Sequence, residues 1–128
     1  MKNVFITADL PKSIGKDLRL LEEFSKVKIV HANTLCLQRT SSVETMKYLQ
    51  CHGFGLVITK SSSFCYNLSV DSPKVIYLNG NLARPMMKKI ILLSTEEITH
   101  FLRSKHQLIS LGQNTQVIAL LESLVQAG

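Results

Sequence analysis

The 128-residue sequence predicts an α/β domain with a mostly parallel central sheet of about four to five strands flanked by helices. Short runs rich in apolar and β-branched residues, such as G-L-V-I at Gly55–Ile58 and K-V-I-Y-L at Lys74–Leu78, alternate with segments whose apolar residues recur at helical spacing. Turn and cap signals separate them: Pro11, Ser41, His52-Gly53, Pro73 and Asn79-Gly80-Asn81. That alternation argues for parallel strands joined by helical crossovers, with helices on both faces. The length suits one domain, and a chain of this size buries about two thirds of its unfolded surface without a disulfide or metal staple.

The elements follow in order. V-F-I-T, Val4–Thr7, is the first strand. Pro11 opens a helix where its missing N–H costs nothing. Ile14, Leu18 and Leu21 share one face of that helix, and Lys12, Lys16 and Arg19 share the opposite one. Val27–His31 is the second strand, and a polar loop leads through Arg39 and Thr40. Ser41-x-x-Glu44 is a capping box for a helix carrying Val43, Met46 and Leu49. Phe54–Thr59 is the third strand and Lys74–Leu78 the fourth. Met86–Leu93 reads as a helix with Arg84, Lys88 and Lys89 on its polar side. Ser94-x-x-Glu97 is a second capping box, before Ile98, Phe101 and Leu102. Gln107–Leu111 reads as a fifth strand, and residues 113–128 as a C-terminal helix capped by Asn114. The arc Val117, Ile118, Leu120, Leu121, Leu124 and Val125 on that helix suits packing on the domain or a homodimer contact.

Composition narrows the function classes. A hydrophobic content of 45% is too high for disorder, and no apolar run approaches the ~20 residues of a membrane span. The N-terminus lacks a signal-peptide pattern. Cys36, Cys51 and Cys65 are scattered, with no C-x-x-C or Cys/His ligand spacing, which reads as reduced thiols in the cytoplasm. The net charge of +6 points towards an anionic partner, nucleic acid or an acidic protein.

In a parallel sheet the strand exits collect on one edge, where ligands bind. Here the exits carry Thr7, Asp9, the Thr40–Glu44 segment, Lys60, the run Ser61-Ser62-Ser63 and Asn79–Asn81. Metal-assisted phosphodiester hydrolysis needs several converging carboxylates for Mg²⁺, and only Asp9 and Glu44 qualify. The serine run has no glycine and no G-x-x-x-x-G-K pattern, which excludes a P-loop. His31, His52, His100 and His106 show no spacing that aims a base at the serines, as nucleophilic serine chemistry requires. Taken alone, the serines suit a helix cap or a polar turn.

The order and spacing of four motifs resemble the small bacterial PIN-like proteins, a family once grouped as a domain of unknown function and often encoded as the toxin-type partner in toxin–antitoxin operons. The segments are I-T-A-D-L-P at Ile6–Pro11, H-A-N-T-L-C-L-Q-R-T-S-S-V-E at His31–Glu44, V-I-T-K-S-S-S-F at Val57–Phe64, and P-K-V-I-Y-L with Gly80-Asn81. In that family the strand exits read Asp-Ala-x-Leu-Pro, S-D-x-E and T-K-D-S-D-F, and four aspartates form the metal site of an RNase. The resemblance implies a PIN-like domain over residues 1–112.

Matched residue by residue, the four acids fall on Thr7, Ser42, Ser61 and Ser63. Each is replaced by a small hydroxyl residue. The resemblance therefore implies a degenerate nuclease site without cofactor, in a pseudoenzyme that binds RNA or an antitoxin-like partner. Lys12, Lys16, Arg19 and Lys60 are the expected RNA-binding residues. The alternative is an active Mg²⁺-dependent ribonuclease toxin using Asp9 and Glu44.

Overall fold

The computed structural model describes residues 3–37, 39–66, 68–78 and 84–112, and for residues 84–86 the backbone only. The expected Asn79–Asn81 turn and the 113–128 helix, with its packing or dimer contact, lie outside the described residues.

Five parallel strands form one sheet in the order β2-β1-β3-β4-β5, where β1 is Asn3–Ile6, β2 Ile29–His31, β3 Phe54–Thr59, β4 Lys74–Leu78 and β5 Leu108–Leu111. Helices α1 (Ile14–Leu18), α2 (Ser42–Cys51), α3 (Arg84–Leu93) and α4 (Thr95–Arg103) connect them. The predicted α/β architecture is present. Alternation along the central strands sorts side chains to two buried faces. Val4, Ile6, Leu56, Ile58, Ile76 and Leu78 pack with Ile14 and Leu18 of α1, Met87, Ile90 and Ile91 of α3, and Ile98 and Phe101 of α4. Phe5, Val57 and Val75 face the other way, onto Leu49 of α2 and Phe64. Burying each such side chain contributes roughly 1.5–3 kcal/mol. Among the described residues no helix is long and apolar enough to cross a membrane.

Local chemistry moves several predicted boundaries. The helix expected to open at Pro11 is shorter. Pro11 and Lys12 accept i+3 bonds from Ile14 and Gly15 in a tight turn, and α1 proper runs only from Ile14 to Leu18. Ser41 caps α2 as expected: its Oγ accepts from the Glu44 N–H at 3.3 Å. The second capping box is corrected. Ser94 stands between α3 and α4, but its hydroxyl makes no cap bond. The Ser94 backbone is close to helical, with φ −98° and ψ 18°, and its N–H donates to Ile90 O at 3.0 Å. The chain passes from α3 to α4 with a one-residue break, which turns the side chain into the core.

The crossovers put the exits of β1 and β3 side by side. In this strand order the first connection runs outward to β2 and the next returns across β1 to β3. The crevice between β1 and β3 is therefore the topological switch point, the usual place for a ligand on an open α/β sheet.

Candidate functional site

The register pairs Ile6 with Ile58, so the next residue of each strand, Thr7 and Thr59, meets at the sheet edge. Both are buried, Thr7 at 5% exposure and Thr59 at 0%. Most buried hydroxyls are hydrogen-bonded, and these two are. Thr7 Oγ1 bonds the Asp9 carboxylate and lies 2.9 Å from Thr59 Oγ1. Thr59 Oγ1 accepts from the Ser61 N–H at 2.9 Å, and the Ser61 and Ser63 hydroxyls are 2.7 Å apart. Each threonine has one hydroxyl proton. Thr7 gives its proton to the carboxylate, the strongest acceptor present, so Thr59 supplies the proton between the two hydroxyls. The result is a directed relay from the Ser61 N–H through Thr59 and Thr7 to Asp9.

Asp9 and Thr7 meet through the turn after β1, where the Leu10 N–H donates to Thr7 O at 3.1 Å, and not by strand alternation. His31, buried at the end of β2, holds this turn. Its Nδ1 accepts from the Asn33 N–H at 3.1 Å, which leaves Nε2 to donate to Leu10 O at 2.7 Å. With both ring nitrogens engaged, His31 is a positioning residue. The serine run forms a 3-10 turn, Ser62–Cys65, with the Ser61 side chain bonded to Ser63 and not to the turn's amides. Burial pushes the Cys65 thiol up, away from thiolate chemistry. Cys36, Cys51 and Cys65 are all free.

The four positions matched to the family's acids reach the same edge but not the same cavity. Asp9 and Ser61 line a pocket of about 210 Å³ walled by Phe5, Leu37, Thr40 and Phe64. Ser42 and Ser63 line a second cleft, also about 210 Å³, between α2 and the loop after the serine turn. Thr7 lies beneath, joined to the first pocket through Asp9. Glu44 is exposed on the first turn of α2 and lines neither cavity. Among the described residues, no three His, Cys, Asp or Glu side chains are grouped so that they could hold a metal ion. The site is therefore hydroxyl-rich with one carboxylate, a donor set that suits a hard divalent cation poorly.

The basic residues distribute unevenly. Lys12 lies in the turn after β1 and is exposed, and Lys60 follows β3 and is half-buried. Both belong to the strand-exit edge. Lys16 and Arg19 are exposed along and just past α1, which runs back from that edge. On α3, Lys88 lies 3.8 Å from Asp17 of α1, so part of its charge is answered within the fold.

Thr59 and Tyr66 were not singled out by the sequence reading. Thr59 signals its role only through the inter-strand register. Tyr66, just past the serine turn, is 68% exposed.

No family model, curated protein or solved structure matches this chain.

Proposed function

We propose that this chain is a PIN-like module that holds RNA at the strand-exit edge of its sheet without cutting it. One observation carries the reading. Of the positions where the family it resembles has aspartates, Thr7 and Ser61 join, through Thr59 and the Ser61 N–H, a hydrogen-bond relay that ends on the carboxylate of Asp9, and Ser63 bonds the Ser61 hydroxyl. An acidic cluster requires a divalent cation before phosphates approach it, and a metal-bound water is the nucleophile for hydrolysis. A hydroxyl-rich edge with one carboxylate, flanked by Lys12, Lys60 and Arg39, takes phosphates at those cations and lacks the groups that would activate such a water. Lys12, Lys16 and Arg19 extend the positive surface, and the net charge of +6 favours the encounter.

The test is an RNA-binding isotherm with a cleavage control. A labelled single-stranded RNA is titrated with the protein in EDTA and again in Mg²⁺ or Mn²⁺. The expected result is saturable binding that weakens with salt, does not depend on the metal, and leaves the RNA intact. Metal-dependent cleavage abolished by Asp9→Ala with Glu44→Ala would establish the ribonuclease alternative. No RNA binding, together with capture of an antitoxin-like protein encoded beside it, would replace RNA by a protein partner.

A further inference from the structure

Three of the described cavities differ in charge. The pocket at the switch point contains Asp9. A broad groove of about 500 Å³ at the opposite edge of the sheet contains Glu23 and Asp71 beside Lys74 and Arg103, whose cations are engaged within the fold. The cleft between α2 and the loop after the serine turn contains no carboxylate and carries Lys47. Of the three, only the last presents a cation with no carboxylate, which suits a phosphodiester.

The shape and lining of that cleft narrow the occupant further. At about 210 Å³ it lies below the ~300–1,000 Å³ that encloses drug-sized ligands, so it suits one ring system and not a whole nucleotide. On its wall stands Tyr66, 68% exposed. Ser42, Ser63 and the Gln50 amide add donors and acceptors for a base edge, and Met46 is an adaptable apolar floor. Single-stranded nucleic acid is held by this combination: an aromatic face for a base, a cation for the adjacent phosphate, and hydroxyls or amides for the edge. A protein interface of standard size needs about 800 Å² from each partner and is depleted of lysine at its centre, which fits this narrow, lysine-bearing cleft less well.

We propose that the cleft between α2 and Tyr66 binds one unpaired base of a single-stranded RNA, stacked on Tyr66, with Lys47 on the neighbouring phosphate. This rests on the reading of the chain as an RNA-holding module and names the part of the RNA that is held. The Ser61–Ser63 contact at 2.7 Å links the cleft to the hydroxyl relay, so the strand continues from the cleft along the edge towards Lys60 and Lys12. The geometry also separates the cleft from Lys16 and Arg19. They belong to the α1 layer, and the cleft lies in the α2 layer.

The experiment uses the full chain and a 5′-labelled single-stranded RNA of mixed sequence, read by anisotropy at low salt. Tyr66→Ser should weaken binding between about fivefold and a hundredfold, the range of one lost base stack, while Tyr66→Phe keeps most of it. Lys47→Gln should lower the slope of log affinity against log salt by about one. The same sequence as a duplex should bind at least about tenfold more weakly, because paired bases offer no free face. The chain has no tryptophan and three tyrosines, so stacking also reads out as quenching of tyrosine emission, reduced in Tyr66→Phe. Tyr66 is exposed, so the variants should fold, which circular dichroism checks. RNA binding by the wild type that is unchanged in Tyr66→Ser overturns this inference and leaves the proposed function standing. RNA binding absent from the wild type overturns the proposed function itself.

Discussion

The two edges of the sheet use polar groups in opposite ways. At the strand-entry edge, charge is committed to the fold. Lys74 Nζ, at the start of β4, donates to Ser104 O at 2.7 Å, His106 O at 2.6 Å and Phe101 O at 3.2 Å. It also lies 4.7 Å from the centre of the Phe101 ring. These are carbonyls at the end of α4 and just before β5, where the helix dipole favours a cation. Arg103 reaches across to Glu23 at 3.3 Å. At the strand-exit edge the groups are hydroxyls and the one carboxylate of Asp9, with Asp9, Ser62 and Ser63 exposed and Lys12 and Lys60 unpaired with any acid in the described ion pairs. The first edge closes the structure, and the second is the one proposed to meet RNA. A basic chain therefore need not bind through all its basic residues, and contacts decide which of them are free.

Breaking this difference between the edges should have its largest effect at Thr7. Thr7→Asp restores an acid of the resembling family at a position that is nine-tenths buried and against Asp9. Two carboxylates in contact, one of them buried, should cost about 3 kcal/mol or more in denaturant unfolding. Millimolar Mg²⁺ should recover part of that loss, because the pair then has a cation to hold. An unchanged midpoint, or a loss that Mg²⁺ leaves untouched, counts against the match of Thr7 to a metal-binding aspartate.

The strand-entry edge should respond next. Lys74→Met removes three hydrogen bonds from a charged donor and should cost about 2 kcal/mol by the same measurement, without changing RNA affinity. Burial pushes the Lys74 pKa down from 10.5, while its carbonyl acceptors favour the ammonium form. A Lys74→Met variant that folds as stably as the wild type would remove the distinction between a structural and a free edge.

Thr59→Val tests the relay with a smaller effect. It keeps the shape of a fully buried residue and removes the hydroxyl that accepts from Ser61 N–H. About 1–2 kcal/mol is expected, with faster amide exchange at Ser61. Exchange at Ser61 unaltered in this variant would show that the relay does not organise the serine turn.

The sheet was legible because its central strands are apolar runs bounded by strong punctuation. Gly53 with φ +77° ends α2 and admits β3, and Pro73 admits β4. The alternation of strands with helical segments implied helices on both faces, and both faces are covered. What failed was local chemistry that tertiary packing overrode: the serine of the second capping box was drawn into the core, and the helix after Pro11 tightened into a turn. At the site, Thr7, Asp9 and the serines were legible as strand exits. Thr59 was not, because its pairing with Thr7 follows from register, which only the packed sheet sets. Lys74 was missed for a related reason: it lies in no motif, and its role comes from the carbonyls that face it.

Surface charge should produce the smallest change in stability and a graded change in binding. Reversing Lys12, Lys16 and Arg19 to Glu should alter stability by no more than about 0.5 kcal/mol, since all three are exposed. RNA affinity should fall, and single variants should show Lys12, at the strand-exit edge, contributing most of the salt dependence. Affinity that survives the triple reversal would remove the α1 side from the RNA path.

The central claim is that the strand-exit edge holds RNA without hydrolysing it. The most direct measurement follows one labelled single-stranded RNA with the full chain, by anisotropy for binding and by denaturing gel for integrity, in EDTA and then in Mn²⁺. The account predicts the same saturable binding in both and a full-length RNA throughout. Fragments that form only with the metal, and vanish in the Asp9→Ala, Glu44→Ala variant, would contradict it.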